Sequence, residues 1–336
     1  MAADEFYLEP DVMRPTARTW AFHVFLMLIT LVTATIAGVL FPFGRINSLP
    51  DSDPSGWAET VSFITTIPER YIALIATAIH YLATDTSYLI DGLSFSISLL
   101  FILISHEMGH YVACRLYRVD ATLPFFIPTP PMIGPAGTFG AFIKIKSPMP
   151  SRRAVFDIGV AGPIAGFIAL IPVAIIGVLR LREIPASRLA IPGDISFADP
   201  LFMRFLGAIF GHDPTVSVGN PFFYAAWVGL LVTALNLIPS GQLDGGHAIY
   251  AVFGERIHYW AGRIAFVAMI ALSLAGLYFY NSPSGILFAV LLGVMMRIRH
   301  PEPLDNTPLD PKRKIVALLT LLIFILSFMP FPIQVR

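Results

Sequence analysis

The sequence has almost no cysteine and little charge. Cys114 is the only cysteine in 336 residues, which excludes an intramolecular disulfide and any cysteine-rich metal site. Charged residues make up 13% of the chain, against roughly 25% in ordinary globular proteins. Basic and acidic residues number 22 each, so no net charge draws the chain toward nucleic acid, and no nucleic-acid partner is expected. Internal repeats and low-complexity segments are lacking as well. The first eighteen residues are mixed polar and acidic, end in Arg14 and Arg18, and do not have the pattern of a cleaved signal peptide.

Apolar side chains are abundant. They make up 56% of the chain, and the mean hydropathy is +0.72. A water-soluble fold has too little interior to hide that much apolar surface, so the expected solvent is a lipid bilayer. Apolar runs occur at Trp20–Leu40, Leu93–Cys114, Val155–Leu179, Phe222–Ile238, Trp260–Tyr280, Gly285–Met296 and Ile315–Met329. Ile72–Ala83 is apolar but short, readable as a tilted span or an interfacial helix. The proline-dense stretch Pro124–Pro135 cannot be regular helix. In Thr138–Lys146 the latter half alternates weakly and reads as a short strand. Glu183–Pro221 reads as a mixed loop. The fold class expected is an all-α polytopic membrane protein of about six to eight transmembrane helices, with a short β-strand or re-entrant segment.

Orientation follows from lysine and arginine near the span ends. Arg14 and Arg18, the group from Arg115 to Arg153, and the group from Arg297 to Lys314 fall on one side if Ile72–Ala83 does not cross. That side is then cytoplasmic, and the remaining runs make seven crossings. Arg180, Arg182, Arg188 and Arg204 lie on the other side, against the rule.

One cluster interrupts an apolar run: His106-Glu107-Met108-Gly109-His110. Residues four apart share a helix face, so the two imidazoles can aim at one point. Imidazole suits Zn2+, and a catalytic zinc keeps three protein ligands and one open position for water. Glu107 lies beside that position, placed to act as general base. Arg115 marks the next water boundary, and nine residues at about 1.5 Å each put His106 roughly 14 Å below it. An ionisable side chain at such depth costs at least about 2.5 kcal/mol, which packing alone does not explain for three residues in five. A third ligand has two candidates. Asp244 follows a Pro/Gly break in Asn236-Leu-Ile-Pro-Ser-Gly-Gln-Leu-Asp-Gly-Gly-His247, where irregular backbone at membrane depth must line protein or a wet cavity. Asp157 is the rival, though an ion pair with Arg152 or Arg153 suits it better. The other histidines have no helical partner at ligand spacing.

Four elements in this order resemble the site-2 protease family of intramembrane zinc metalloproteases. They are His106 to His110 in a span, Gly137-Thr-Phe-Gly-Ala141 after it, Gly159-Val-Ala-Gly-Pro163, and Asn236 through Leu243-Asp-Gly-Gly246. The resemblance implies zinc on His106, His110 and Asp244, with Glu107 as catalytic base. It further implies substrate contacts at Asn236 and along Gly137, Thr138, Phe139 and Gly140, where an unwound transmembrane protein substrate would dock on a strand edge. The expected organisation is one integral-membrane protease domain over residues 1–336, with a catalytic core at about 93–251. An N-terminal span and loop (1–92) and C-terminal spans (252–336) would flank that core, and the active site would lie nearer the cytoplasmic side. Two other classes compete: a zinc transporter or metal sensor, which also buries His and Asp but needs no Glu beside an open position, and a catalytically dead binding relative, which Glu107 argues against.

Overall fold

The structure is a computed structural model that describes residues 14–47, 56–134, 136–183, 195–282, 284–298 and 302–335. Ten α-helices dominate the described residues. In chain order they begin with α1 (Ala17–Val39), α2 (Trp57–Thr84) and α3 (Thr86–Leu116), followed by strands β1 (Phe125–Pro128) and β2 (Thr138–Phe142). Next come α4 (Arg152–Leu179), β3 (Arg182–Glu183), β4 (Ile195–Phe197), α5 (Leu201–Phe210), β5 (Ser217–Val218), α6 (Pro221–Asn236) and α7 (Asp244–Phe253). The chain continues through α8 (Glu255–Tyr280), α9 (Ser284–Met295), α10 (Pro311–Ser327) and β6 (Ile333–Val335). Helices α1, α3, α4 and α8 are each long and apolar enough to cross a membrane, and α6 and α9 are shorter apolar helices. Every apolar run from the sequence falls on one of these helices, as expected of a polytopic all-α membrane protein. Ile264 and Val267 of α8 keep 66% and 64% of their surface exposed, as lipid-facing side chains do.

Helix boundaries follow local chemistry. Ser151 starts α4 by accepting the Ala154 N–H at 3.2 Å, and Asp85 starts α3 by accepting the Ser87 N–H at 2.8 Å. Asp85 is also the only residue between α2 and α3. Helices α3, α4 and α6 form the centre, where Phe95, Leu99, Leu170 and Leu230 are fully buried. In a bilayer no hydrophobic drive separates helix from lipid, so close approach of backbones supplies the attraction. Gly109 shows that approach: a Cβ there would stand 2.4 Å from the Ala161 carbonyl.

Strands β1 and β2 pair antiparallel, with Phe125 opposite Phe142 and Phe126 opposite Ala141. The hairpin is tied to α1 at two depths. The buried His23 donates from Nδ1 to the Pro124 carbonyl at 2.8 Å, and Thr33 donates to the Gly137 carbonyl at 2.7 Å. Those anchors are ten residues apart on α1, about 15 Å along its axis, so the hairpin enters the helical bundle and returns. It is the re-entrant β segment expected from the prolines.

Three sequence expectations change. The regular strand covers Thr138–Phe142, the first half of the segment and not the latter; beyond it, Lys144 and Lys146 bond irregularly to Thr122 and Asp120. The short apolar run at Ile72–Ala83 is the end of one 28-residue helix that starts at Trp57. Its first turns mix polar and apolar residues, and Leu74 and Ala78 are its buried residues, so a continuous apolar run marked only its second half. Glu183–Pro221 is not wholly loop: α5 lies within it, starting after Pro200 and ending at Gly211 in the left-handed region (φ 74°), with Phe202, Met203 and Leu206 buried. Residues 184–194 of that segment, Arg188 among them, lie outside the described residues.

Candidate metal centre

His106, Glu107 and His110 all sit on α3 and are all buried, at 3%, 5% and 7% exposure. Burial of three ionisable groups within five residues requires partners, and the chain supplies them from α4, α6, α7 and the hairpin. Asp244 is the first residue of α7. Its carboxylate oxygens lie 3.3 Å from Nε2 of His106 and 3.4 Å from Nε2 of His110, and the two Nε2 atoms are 3.2 Å apart. Asp157, the rival acid, is elsewhere. It binds Arg313 of α10, with Nε 2.9 Å from Oδ1, and also accepts from the Tyr117 hydroxyl. The ion pair expected with Arg152 or Arg153 is therefore made with a residue 156 positions away. Arg152 instead donates to the Ala251 carbonyl at 2.7 Å, a cation at the C-terminal end of α7.

Local backbone explains how Asp244 arrives. Helix α6 ends at Asn236, and the chain turns through Pro239 and Gly241, the latter at φ 54°. A Cβ on Gly245 would stand 2.0 Å from the Leu237 carbonyl, and one on Gly246 would stand 2.5 Å from the Gly241 carbonyl. The two glycines after Asp244 let the first turn of α7 lie on the preceding turn, which aims the aspartate at α3. Asn236, at the end of α6, puts its side-chain nitrogen 3.4 Å from Nε2 of His106.

The donor set fits a zinc ion. His110 donates from Nδ1 to the Ile158 carbonyl at 2.7 Å, which leaves a bare lone pair on its Nε2. That lone pair, the His106 nitrogen and the Asp244 carboxylate converge. Atoms bound to one tetrahedral zinc at about 2.0–2.1 Å lie roughly 3.3–3.4 Å from each other, and the separations here are 3.2 to 3.4 Å. Two nitrogens and a carboxylate are also the ligand chemistry zinc takes when one position stays open.

The hairpin supplies a residue that sequence reasoning missed. The backbone N–H of Ile143 faces the Glu107 carboxylate. Lys144 and Lys146 use their backbone groups toward residues 120–122, so alternation turns Ala141, Ile143 and Ile145 the other way, toward α3. The segment Gly137–Gly140 is placed as a turn and strand entry. Gly137 (φ 72°) presses on the Thr33 carbonyl, and Gly140 (φ 94°) has open space around it. Thr138 is buried, with its hydroxyl donating to the Ile127 carbonyl at 2.9 Å, and Phe139 is 62% exposed. The carbonyl of Ile158 was likewise unreadable, since any residue supplies one. The glycines at 159, 162 and 166 were visible as small residues for helix packing. They do more than that, because a Cβ on Gly166 would stand 3.0 Å from the His106 Cβ.

Comparison with known proteins agrees with this arrangement. The model of peptidase family M50 matches residues 94–276. A rice protein described as "Probable zinc metalloprotease EGY1, chloroplastic" (Oryza sativa subsp. japonica) is 27% identical over 335 residues, covering 96% of this chain and 53% of its own length. Its Arabidopsis thaliana counterpart of the same description is 29% identical over 330 residues, covering 96% and 56%. A further Arabidopsis thaliana relative, "Probable zinc metalloprotease EGY2, chloroplastic", is 28% identical over 251 residues, covering 72% and 42%. The chain thus spans about half the length of these relatives.

Proposed function

Since the chain belongs to peptidase family M50, we propose that it is a zinc-dependent endopeptidase that hydrolyses peptide bonds of transmembrane proteins within or next to the bilayer. In this reading His106, His110 and Asp244 hold the zinc and Glu107 is the general base. The observation that carries the reading is the convergence of three metal-ligating atoms, two from a helix inside the membrane and one from a broken helix, with a buried carboxylate next to them. The core at about 93–251, within one membrane domain, holds all four residues.

Zinc bound there supplies a Lewis acid that polarises the peptide carbonyl and acidifies the attacking water. The chain does the rest. Glu107 removes a proton from that water and returns it to the leaving amine nitrogen. The Ile143 N–H faces the carboxylate from the hairpin. Asn236 stands beside His106 with an amide donor available to the substrate carbonyl. A helical substrate has its peptide groups bonded internally and must be extended first. The edge at Ala141, which faces α3, offers main-chain partners to an extended stretch, in the manner of strand addition. The clustering of Lys and Arg around the α3 exit and the α10 start supports a reading in which the site lies nearer the cytoplasmic side.

The test is incubation of the purified full chain with a panel of transmembrane peptides, with and without a zinc chelator. Chelator-sensitive cleavage within the apolar segment is expected. Bound zinc without cleavage of any substrate would favour a transport or sensing role instead.

A further inference from the structure

At the opposite end of the bundle from His110, the C-terminal ends of α1 and α4 and the N-terminal ends of α3 and α6 surround a cavity of about 800 Å³. Its wall holds Arg45, Arg180 and Arg182, and among the described residues Asp91 is the single acidic one in it. Arg45 is fixed in place: its Nη2 donates to Asp91 at 3.0 Å and to Ser87 at 2.9 Å, and the guanidinium lies 4.1 Å above the Tyr88 ring. The Arg180 guanidinium lies 5.2 Å from the centre of the Phe222 ring, and Arg182 stands on the β3–β5 ladder opposite Val218. Among the described residues neither Arg180 nor Arg182 pairs with a carboxylate, and both are exposed. The cavity is thus positively charged. Deeper in, Val39, Phe43 and Leu181 line it with apolar surface.

Arg180 and Arg182 are two of the four arginines that break the charge rule for membrane orientation. A cation on the less favoured face of a membrane protein calls for a local reason. The cavity gives one, because the ends of four spans meet there, at the level where a bilayer carries its phosphates. Its size decides between ligands of the same chemistry. A free phosphate would leave most of 800 Å³ unfilled, whereas ligand sites of roughly 300–1,000 Å³ suit molecules of headgroup-and-glycerol size. The polar rim and apolar floor match a molecule with an anionic head and hydrocarbon below. We propose that this cavity is a binding site for an anionic phospholipid, with the phosphate on Arg45, Arg180 and Arg182 and the upper acyl chains against Phe43 and Leu181.

The probe is phosphatidylglycerol, and the readout is lipid retained on the full chain by native mass spectrometry after exchange into mixed micelles. Phosphatidylcholine is the uncharged-headgroup control, and inorganic phosphate and glycerol 3-phosphate are soluble competitors. The wild type should retain one phosphatidylglycerol at least roughly tenfold in preference to phosphatidylcholine, and Arg180→Ala/Arg182→Ala should lose that preference by a similar factor, as for two charge-assisted hydrogen bonds. Millimolar phosphate should not displace the lipid. Because both arginines are exposed, the double variant should keep its zinc, which checks the fold independently of the lipid readout. Equal retention of the two lipids, unchanged retention by the double variant, or displacement by inorganic phosphate alone would overturn the proposal. So would displacement by an acidic peptide in place of lipid.

Discussion

A Cβ placed on Gly162 would stand 2.1 Å from Nε2 of His110. No real side chain tolerates that approach, so α4 presents bare backbone to the imidazole and the ligand rests directly on the neighbouring helix. Gly162→Ala should push the ring away from the point it shares with His106 and Asp244. Overpacking of this kind costs about 1–3 kcal/mol, and displacement of a metal ligand's support typically weakens metal affinity about 10–100-fold. Zinc content measured against a graded chelator should show this loss. A variant that binds zinc as tightly as the wild type would refute the contact.

Glu107→Gln separates binding from chemistry. The amide keeps the size and shape of the carboxylate, so the fold and the zinc should persist. Turnover should fall by about 10²–10⁴, the usual contribution of a general base. A loss below about tenfold would remove Glu107 from that role.

Metal stoichiometry tests the ligand assignment. One zinc per chain is expected by elemental analysis, and His106→Ala, His110→Ala or Asp244→Ala should abolish it. Asp157→Asn should leave zinc unchanged, because Asp157 serves Arg313 and Tyr117. Its effect should be a lower thermal midpoint, from weakening charge-assisted bonds worth about 1–3 kcal/mol. Loss of zinc in Asp157→Asn would reverse the assignment.

Substrate docking makes a pair of predictions with opposite readouts. Ala141→Pro removes a backbone donor from the edge facing α3 and should raise KM while zinc content stays constant. Phe142→Pro removes a donor that faces β1 and should instead loosen the hairpin itself, because Phe142 is paired with Phe125. With a fixed enzyme, a transmembrane peptide carrying a central Asn-Gly or Pro should be cut faster than a poly-Leu peptide of equal hydrophobicity. Each breaker lowers the cost of unwinding by roughly 1–3 kcal/mol. Equal rates would show that extension is not limiting.

The spans and the His106–His110 pair were legible because both are local patterns: apolar runs of membrane length, and two ligands at one helical spacing. Asp244 was legible as a candidate because a Pro/Gly break in an apolar context is conspicuous. What remained hidden depends on distant partners. Arg313 for Asp157 lies 156 positions on, and nothing in the composition near Asp157 points past Arg152 and Arg153. The strand position was missed because pairing with Phe125–Pro128 fixes it, while side-chain alternation favoured the half that bonds irregularly. Helix α5 was missed because its ten residues, set between Pro200 and Gly211 in a proline- and aspartate-containing stretch, are too short to stand out as a membrane-length run.

The clasp between Thr33 and Gly137 bears on how small a working unit can be. The family match begins at residue 94, and a chain trimmed to that boundary would retain His106, His110, Asp244 and Glu107, the residues proposed as ligands and base. It would lack α1, and with it the two anchors that hold the hairpin at depth. The strand that faces Glu107 would then have lost both of its ties to α1. On the proposed reading the shortest active fragment would start ahead of Ala17, and a fragment starting at residue 94 would keep the proposed ligands without the anchors of the hairpin.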